Sequence, residues 1–255
     1  MIRRSRSDST PIECDEAMAL PLVRRLTDFA VVLVFVLVLM AAIQALVGRV
    51  YLIPSGSMEP TLRGCPGCSN DRVAVEKVSY YFSDPQPGDV VVFAGTPSWN
   101  LGFAVNRSEN LFLRGLQNLG SAVGFGTSAE NIFVKRVIAT AGQTVSCQPG
   151  DSGVLVNGAL TDASMVKQPP ENQVDPNTGS VACGGDYFGP VTVPDDSLWV
   201  MGDNRTASSD SRAHIGDEYQ GTIPVDNVRG KARAIVFPLD RIGGVETAPV
   251  QGGDQ

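Results

Sequence analysis

The chain has 255 residues, 43% of them hydrophobic, with 27 Gly, 17 Pro and a formal net charge of −7. That length supports one globular body with a sizeable core, or two lobes sharing one sheet system. The acidic balance argues against nucleic acid as a partner and otherwise speaks to solubility.

Residues 1 to about 18 mix charges without periodicity and are expected to be disordered. From Phe29 to Val47 run nineteen residues with no charge and one strongly polar side chain, Gln44. As a helix this run is roughly 28 Å long, close to the hydrocarbon thickness of a bilayer. Arg24 and Arg25 stand directly before it, with Arg3, Arg4 and Arg6 further back, and only Arg49 follows closely. The bias places the N-terminus in the cytoplasm and the body outside the cytoplasmic membrane. A cleaved export signal is the competing reading, but the run exceeds the usual apolar core of such signals, and Ile43-Gln44-Ala45 lacks a small residue at the first place of an A-x-A site. The expected division is a cytoplasmic segment 1–25, a transmembrane anchor 26–48, an extracytoplasmic domain 49–242 and a disordered Gly- and Gln-rich tail 243–255.

Beyond the anchor, short β-branched runs predict strands at Val73–Val75, Asp89–Phe93, Ile132–Ala139, Val154–Val156, Val191–Val193, Leu198–Val200 and Arg233–Phe237. Gln86-Pro-Gly-Asp89 and Val156-Asn-Gly158 read as turns between them. The fold class is therefore mainly β, and a monomer is expected. Residues 94–130 form a long insertion in which Phe112, Leu116, Leu119 and Val123 recur at helical spacing, suiting either packing on the domain or contact with the membrane interface.

Cys14 is alone on the cytoplasmic side, whereas Cys65, Cys68, Cys147 and Cys183 form an even set outside, where an oxidising compartment would pair them. Cys147 and Cys183 bracket a loop-rich stretch that a bridge would pin. Cys65-Pro-Gly-Cys68 is open to a structural clip, a redox pair or half a zinc site. Zinc needs further ligands, and His214 is the single histidine. No metal and no cofactor are expected.

A tight turn carrying two hydroxyls, Ser55 and Ser57, follows the apolar run and suggests a nucleophile working near a membrane. A serine hydroxyl attacks only when a base takes its proton. His214 could serve in a triad. Lys135, in the mostly apolar stretch Asn131-Ile-Phe-Val-Lys-Arg-Val-Ile138, is the better base if packing desolvates it and frees a neutral amine. As an outward-facing strand lysine it would do nothing. Met201 to Arg212 reads by itself as a polar turn, and a calcium loop is disfavoured because Arg205 and Ala207 fall where oxygen ligands would be needed.

Four blocks in order alter that balance: Ile53-Pro-Ser-Gly-Ser-Met-Glu-Pro-Thr-Leu62; Asp71-Arg-Val-Ala-Val-Glu-Lys77 with Pro87-Gly-Asp-Val-Val-Val-Phe93; Phe133-Val-Lys-Arg-Val-Ile138; and Met201-Gly-Asp-Asn-Arg205 with Ser208-Ser-Asp-Ser-Arg212. Behind one N-terminal anchor, they resemble the bacterial type I signal peptidases, membrane-anchored Ser-Lys endopeptidases, over most of residues 25 to 240. The resemblance implies twisted antiparallel catalytic sheets with a second β lobe inserted at about 145–195. It implies Ser57 as nucleophile, Lys135 as general base, Ser55 as an oxyanion donor beside the Ser57 N–H, and Ser208 as a hydrogen-bond partner orienting the lysine. Asp203, Asp210 and Arg212 become supports, the latter two as an ion pair. Signal-peptide-bearing precursors become the substrates, bound as an added strand along Tyr51, Ile53, Pro54 and Phe133, Val134. Thr206 and Ala207 depart from an Asp-Asn pair common in the family, and Asn70-Asp71 from a Gly-Asp. A Ser-Lys penicillin-binding protein would need Lys three residues after Ser57, where Pro60 stands, and a sortase needs a Cys-His pair. The remaining alternative is an anchored extracytoplasmic β-rich binding module without catalysis.

Overall fold

The computed structural model describes residues 16–101, 131–247 and 249–251. Cys14 and the helical-spacing stripe from Phe112 to Val123 lie outside the described residues. One long helix, α1 (Glu16–Leu46), precedes a body of strands: β1 (Gly48–Leu52), β2 (Arg72–Glu76), β3 (Val90–Ala94), β4 (Ile132–Thr140), β5 (Thr144–Cys147), β6 (Leu155–Val156), β7 (Ala159–Leu160), β8 (Gly179–Ser180), β9 (Gly185–Asp186), β10 (Phe188–Thr192), β11 (Ser197–Met201), β12 (Ile223–Pro224), β13 (Val228–Phe237) and β14 (Gly243–Gly244). The protein is mainly β with a single apolar N-terminal helix among the described residues.

Within α1, Arg24–Gln44 has mean hydropathy 2.7 and none of it is buried against the body, so it is long and apolar enough to cross a membrane. The helix enters β1 with no linker. Val47 O accepts from Lys77 N at 2.9 Å, and Leu46 O accepts from the Tyr81 hydroxyl at 3.0 Å. At Gly48 the chain runs so close to Val75 and Glu76 that a Cβ would collide with their backbone, and φ is +159°.

The main sheet is antiparallel, in the order β1-β2-β13-β3-β4-β11-β12 with β14 on β13. Its central strand explains the layering. Every residue of β3 is buried, and the period-2 alternation sends Val90 and Val92 into a cluster with Met58, Leu62, Val73 and Val75, but Val91 and Phe93 into one with Trp99, Val137, Leu198 and Val200. Gln86-Pro-Gly-Asp89 delivers the chain to β3 through a turn in which Asp89 N bonds Gln86 O at 3.0 Å and Gly88 takes φ +95°.

A second, four-stranded sheet, β10-β5-β6-β7, forms a lobe between β4 and β11. Asn157 and Gly158 both adopt positive φ in its tight hairpin. The lobe core gathers Val145, Val154, Val156, Phe188, Val191 and Val193 around bonded Cys147 and Cys183, whose Cα atoms are 5.7 Å apart. Cys65 and Cys68 are also bridged, in the loop before β2.

Of the tail, the described residues 243–247 and 249–251 touch the body. Gly243–Gly244 pairs with β13, Val250 is 3% exposed within the lobe core, and Gln251 Nε2 donates to Ile138 O at 2.8 Å.

Candidate active site

Ser57 sits in a single 3-10 turn, Gly56–Met58, between β1 and β2. Apolar side chains pin the turn from below, since Met58 and Leu62 are 1% and 0% exposed and Leu62 N donates to Met58 O at 2.9 Å. Asn204 pins it from the side. Its backbone N–H donates to Ser57 O and its Nδ2 to Gly56 O, each at 3.1 Å. The close approach depends on Gly202, where a Cβ would collide with the Ser57 carbonyl and the Ser208 side chain.

β4 brings Lys135 to this turn. The lysine is 4% exposed, so the outward-facing alternative does not hold, and its Nζ lies 2.6 Å from Ser57 Oγ. Burial, the largest cause, takes its pKa from 10.5 down to about 8; the carboxylates of Asp210 and Asp203 oppose the shift and Arg212 adds to it. Ser55, extended at φ −135° and ψ 157°, is exposed, and its hydroxyl donates to Ser57 Oγ at 3.4 Å.

His214 is elsewhere engaged. Its ring stacks on Trp99 at 4.5 Å between centroids, Nε2 lies 3.4 Å from Ser209 Oγ, and among the described residues it makes no hydrogen bond to Ser57. The hydrogen bond expected from Ser208 to Lys135 is not formed. The amine is directed at Ser57, while Ser208 Oγ is buried over Gly202 without a hydrogen-bond partner among the described residues.

Two buried ion pairs brace the site. Asp210 accepts from Arg212 Nε and Nη2, both at 2.8 Å, and from Gly202 N at 3.0 Å. Arg212 also donates to Arg205 O at 2.7 Å and to Gly184 O at 2.8 Å, the latter tying the site to the turn between β8 and β9. Asp203 supports through a partner that sequence reasoning missed. Arg136 Nε and Nη2 form a bidentate pair with it at 2.8 and 2.7 Å, and Nη1 donates to Gly88 O at 2.8 Å and Glu246 O at 3.1 Å. Thr61, on the loop after Ser57, closes the network with a 2.5 Å hydrogen bond to Asp203. The signal was two adjacent cations in an apolar strand, of which the second, buried too, requires a carboxylate. Thr206, one of the family departures, receives Glu171 N at 3.0 Å and Asn172 N at 3.1 Å and so fastens the lobe loop.

Of the residues assigned to substrate, Ile53 is buried and Tyr51 and Val134 pack beside it, with Pro54 exposed. Phe133 turns to the other face, against Phe93 at 5.9 Å and Trp99 at 5.2 Å. Alternation along β4 separates its ring from Val134. Two strand edges flank the site: β1 ends the sheet, and β11 pairs with β4 only from Arg136 to Thr140.

A hydroxyl held against a buried amine of lowered pKa is chemically able to pass its proton to that amine. Comparison with known proteins identifies the family. A signal peptidase I of Mycobacterium tuberculosis is 50% identical over 233 residues, covering 89% of this chain and 78% of that protein. A probable signal peptidase I of Mycobacterium leprae is 48% identical over 242 residues, covering 89% and 82%. Further off, a signal peptidase I of Leptolyngbya laminosa is 32% identical over 212 residues, covering 83% and 80%. The family model described as signal peptidase, peptidase S26, matches residues 26–237, which takes in the helix, the Ser57 turn, Lys135 and the Asp203 to Arg212 block, and the chain belongs to that family.

Proposed function

We propose that this chain is a membrane-anchored serine endopeptidase that removes signal peptides from exported precursors at the outer face of the cytoplasmic membrane. The observation that carries the mechanism is the 2.6 Å separation of Lys135 Nζ and Ser57 Oγ with the lysine buried. Neutral Lys135 takes the Ser57 proton as Oγ attacks the scissile carbonyl. The tetrahedral oxyanion is met by the Ser57 N–H and the Ser55 hydroxyl. Lys135 then gives its proton to the leaving amine, and water, deprotonated by the again neutral Lys135, releases the signal peptide from the acyl-enzyme.

The substrate adds as a strand between the open edges of β1 and of Ile132–Lys135, as backbone pairing at a sheet edge allows. Tyr51, Ile53, Pro54 and Val134 shape the surface under its small side chains, and Phe133 contributes by backbone. Asp203, Asp210 and Arg212 hold the frame, residues 26–48 act as the anchor with the N-terminus in the cytoplasm, and 49–242 act as the catalytic body. Purified full chain incubated with a precursor should yield two fragments whose masses place the cut after the signal peptide, and Ser57→Ala should yield none. Undiminished cleavage by Ser57→Ala would remove the nucleophile assignment.

A further inference from the structure

Between the stretch that runs from β9 into β10 and the loop after β11 lies a cavity of about 600 Å³, within the usual range of small-molecule sites. Asp186, Arg205, Thr206 and Arg212 are among the residues that line it. We propose that this cavity binds a carboxylate on the guanidinium of Arg205. The inference concerns a side chain that the proposed catalysis does not use, and it stands whether or not Ser57 is the nucleophile.

Charge is the first argument. Arg205 is 8% exposed, and its guanidinium makes no hydrogen bond or ion pair among the described residues. Nε is closed off altogether, which leaves the Nη groups as the end that can meet a ligand. The carboxylates whose fields reach it, Asp210 and Asp203, are already matched, to Arg212 at 2.8 Å and to Arg136 at 2.7 Å. Arg205 is the guanidinium left over. Asp186 does not fill the gap, because it is exposed, accepts from the Thr178 hydroxyl at 2.9 Å, and acts by its field on Arg212. Burial first, and then the neighbouring charge of Arg212, pull the Arg205 pKa from 12.5 down to about 10. A desolvated cation without a partner is costly, and a bound anion removes the cost.

Geometry is the second argument. Gly184, at φ +75°, lies so close over the Arg205 stem that a Cβ there would collide with it, which holds the side chain in place under the turn between β8 and β9. Arg212 is fully used, donating to Asp210, Gly184 O and Arg205 O, and adds only its field. Thr206 Oγ accepts from Glu171 N and Asn172 N, so its own proton remains to be given to an oxygen in the cavity. Carboxylate is the chemistry that the neighbouring arginines already hold, Arg136 and Arg212 each gripping one with Nε and Nη2. It can come from a small free acid or from an acidic side chain of a bound peptide.

The test is thermal unfolding of the full chain in detergent, titrated with sodium acetate against sodium chloride at equal ionic strength. Acetate should raise the wild-type Tm by about 3–5 °C at ten times its midpoint, and chloride should not. Arg205→Met should lose the rise. Arg205→Lys, which keeps a charge but not the fork, should move the midpoint about tenfold higher. The amide of N-acetylglutamate, whose carboxylate is the side chain alone, separates the sources: a rise with it as well as with acetate assigns the cavity to acidic side chains, and a rise with acetate alone assigns it to small acids. No rise with either probe in wild type overturns the site. A midpoint unchanged in Arg205→Lys, or a full rise in Arg205→Met, overturns Arg205 as the group that binds. An equal rise with chloride overturns the carboxylate.

Discussion

The main sheet and the inserted lobe are both antiparallel, yet they bury different things. The lobe core is apolar around the Cys147–Cys183 bridge. Around the Ser57 turn the main sheet and its loops bury Lys135, Arg136, Asp203 and Asp210 as well. Apolar burial and a crosslink suffice to hold a shape. Buried charges are costly, and here they are spaced so that two carboxylates are matched to arginines while one amine is matched only to a hydroxyl. The mismatch is where chemistry is possible.

Removing the mismatch is the most drastic way to test that contrast. Lys135→Met should lose activity by at least about 10²–10⁴, the range of general-base catalysis, while making the fold more stable. The sign follows from proton counting. The unfolded chain holds the lysine proton up to its ordinary 10.5, the folded one only up to about 8, so stability rises with pH between these values and the cost is fully present below them. At neutral pH the variant should therefore gain up to about 3 kcal/mol in denaturant unfolding, a gain that shrinks in alkali. Wild-type activity should rise about tenfold per pH unit from about pH 6 and level off near the lysine pKa of about 8. A flat profile would sink the lysine base.

Asp203→Ala attacks a matched pair instead. It strands Arg136, 1% exposed, and should cost about 3–5 kcal/mol by thermal or denaturant unfolding. Breaking the lobe's crosslink with Cys147→Ser/Cys183→Ser should cost less, about 2–4 kcal/mol, and leave peptide cleavage by the remaining folded fraction close to wild type. Equal losses of catalysis in the two variants would erase the distinction between frame and site. His214→Ala sits lowest. It gives up a stacking contact on Trp99 worth about 0.5–1.5 kcal/mol and should retain most activity.

The same contrast explains what could be read from the chain. Alternation in Val90 to Phe93, the Pro87-Gly88 turn and the Asn157-Gly158 hairpin are local, and local physics suffices for them. The turn bearing Ser57 and the lysine facing it were legible as residue types. Their supports were not, because Arg136 meets Asp203 across 67 positions and Asn204 meets Gly56 across 148. Alternation alone did not say which face of β4 Phe133 would take, and Trp99, more than thirty positions upstream, supplied its partner. The contacts of the tail were illegible for a related reason: the groups that meet it, Arg136 at Glu246 O and Ile138 O at Gln251, belong to a strand over a hundred residues earlier.

The junction at Gly48 turns an anchor into a ruler. With Leu46 and Val47 already bonded to the body and β1 following at once, there is no hinge to let the serine rise or sink. On the proposed function, the eleven residues from Val47 to Ser57, which reach at most about 36 Å even when fully extended, cap the height of the attacking hydroxyl above the bilayer. On that reading, selection of the bond to cut would depend on how far each precursor's own apolar segment lifts it, as well as on the side chains beside it. A flexible Gly-Ser insert after Val47 should widen the set of cut positions seen by mass on membrane-bound precursors and leave the cut in short soluble peptides where it was.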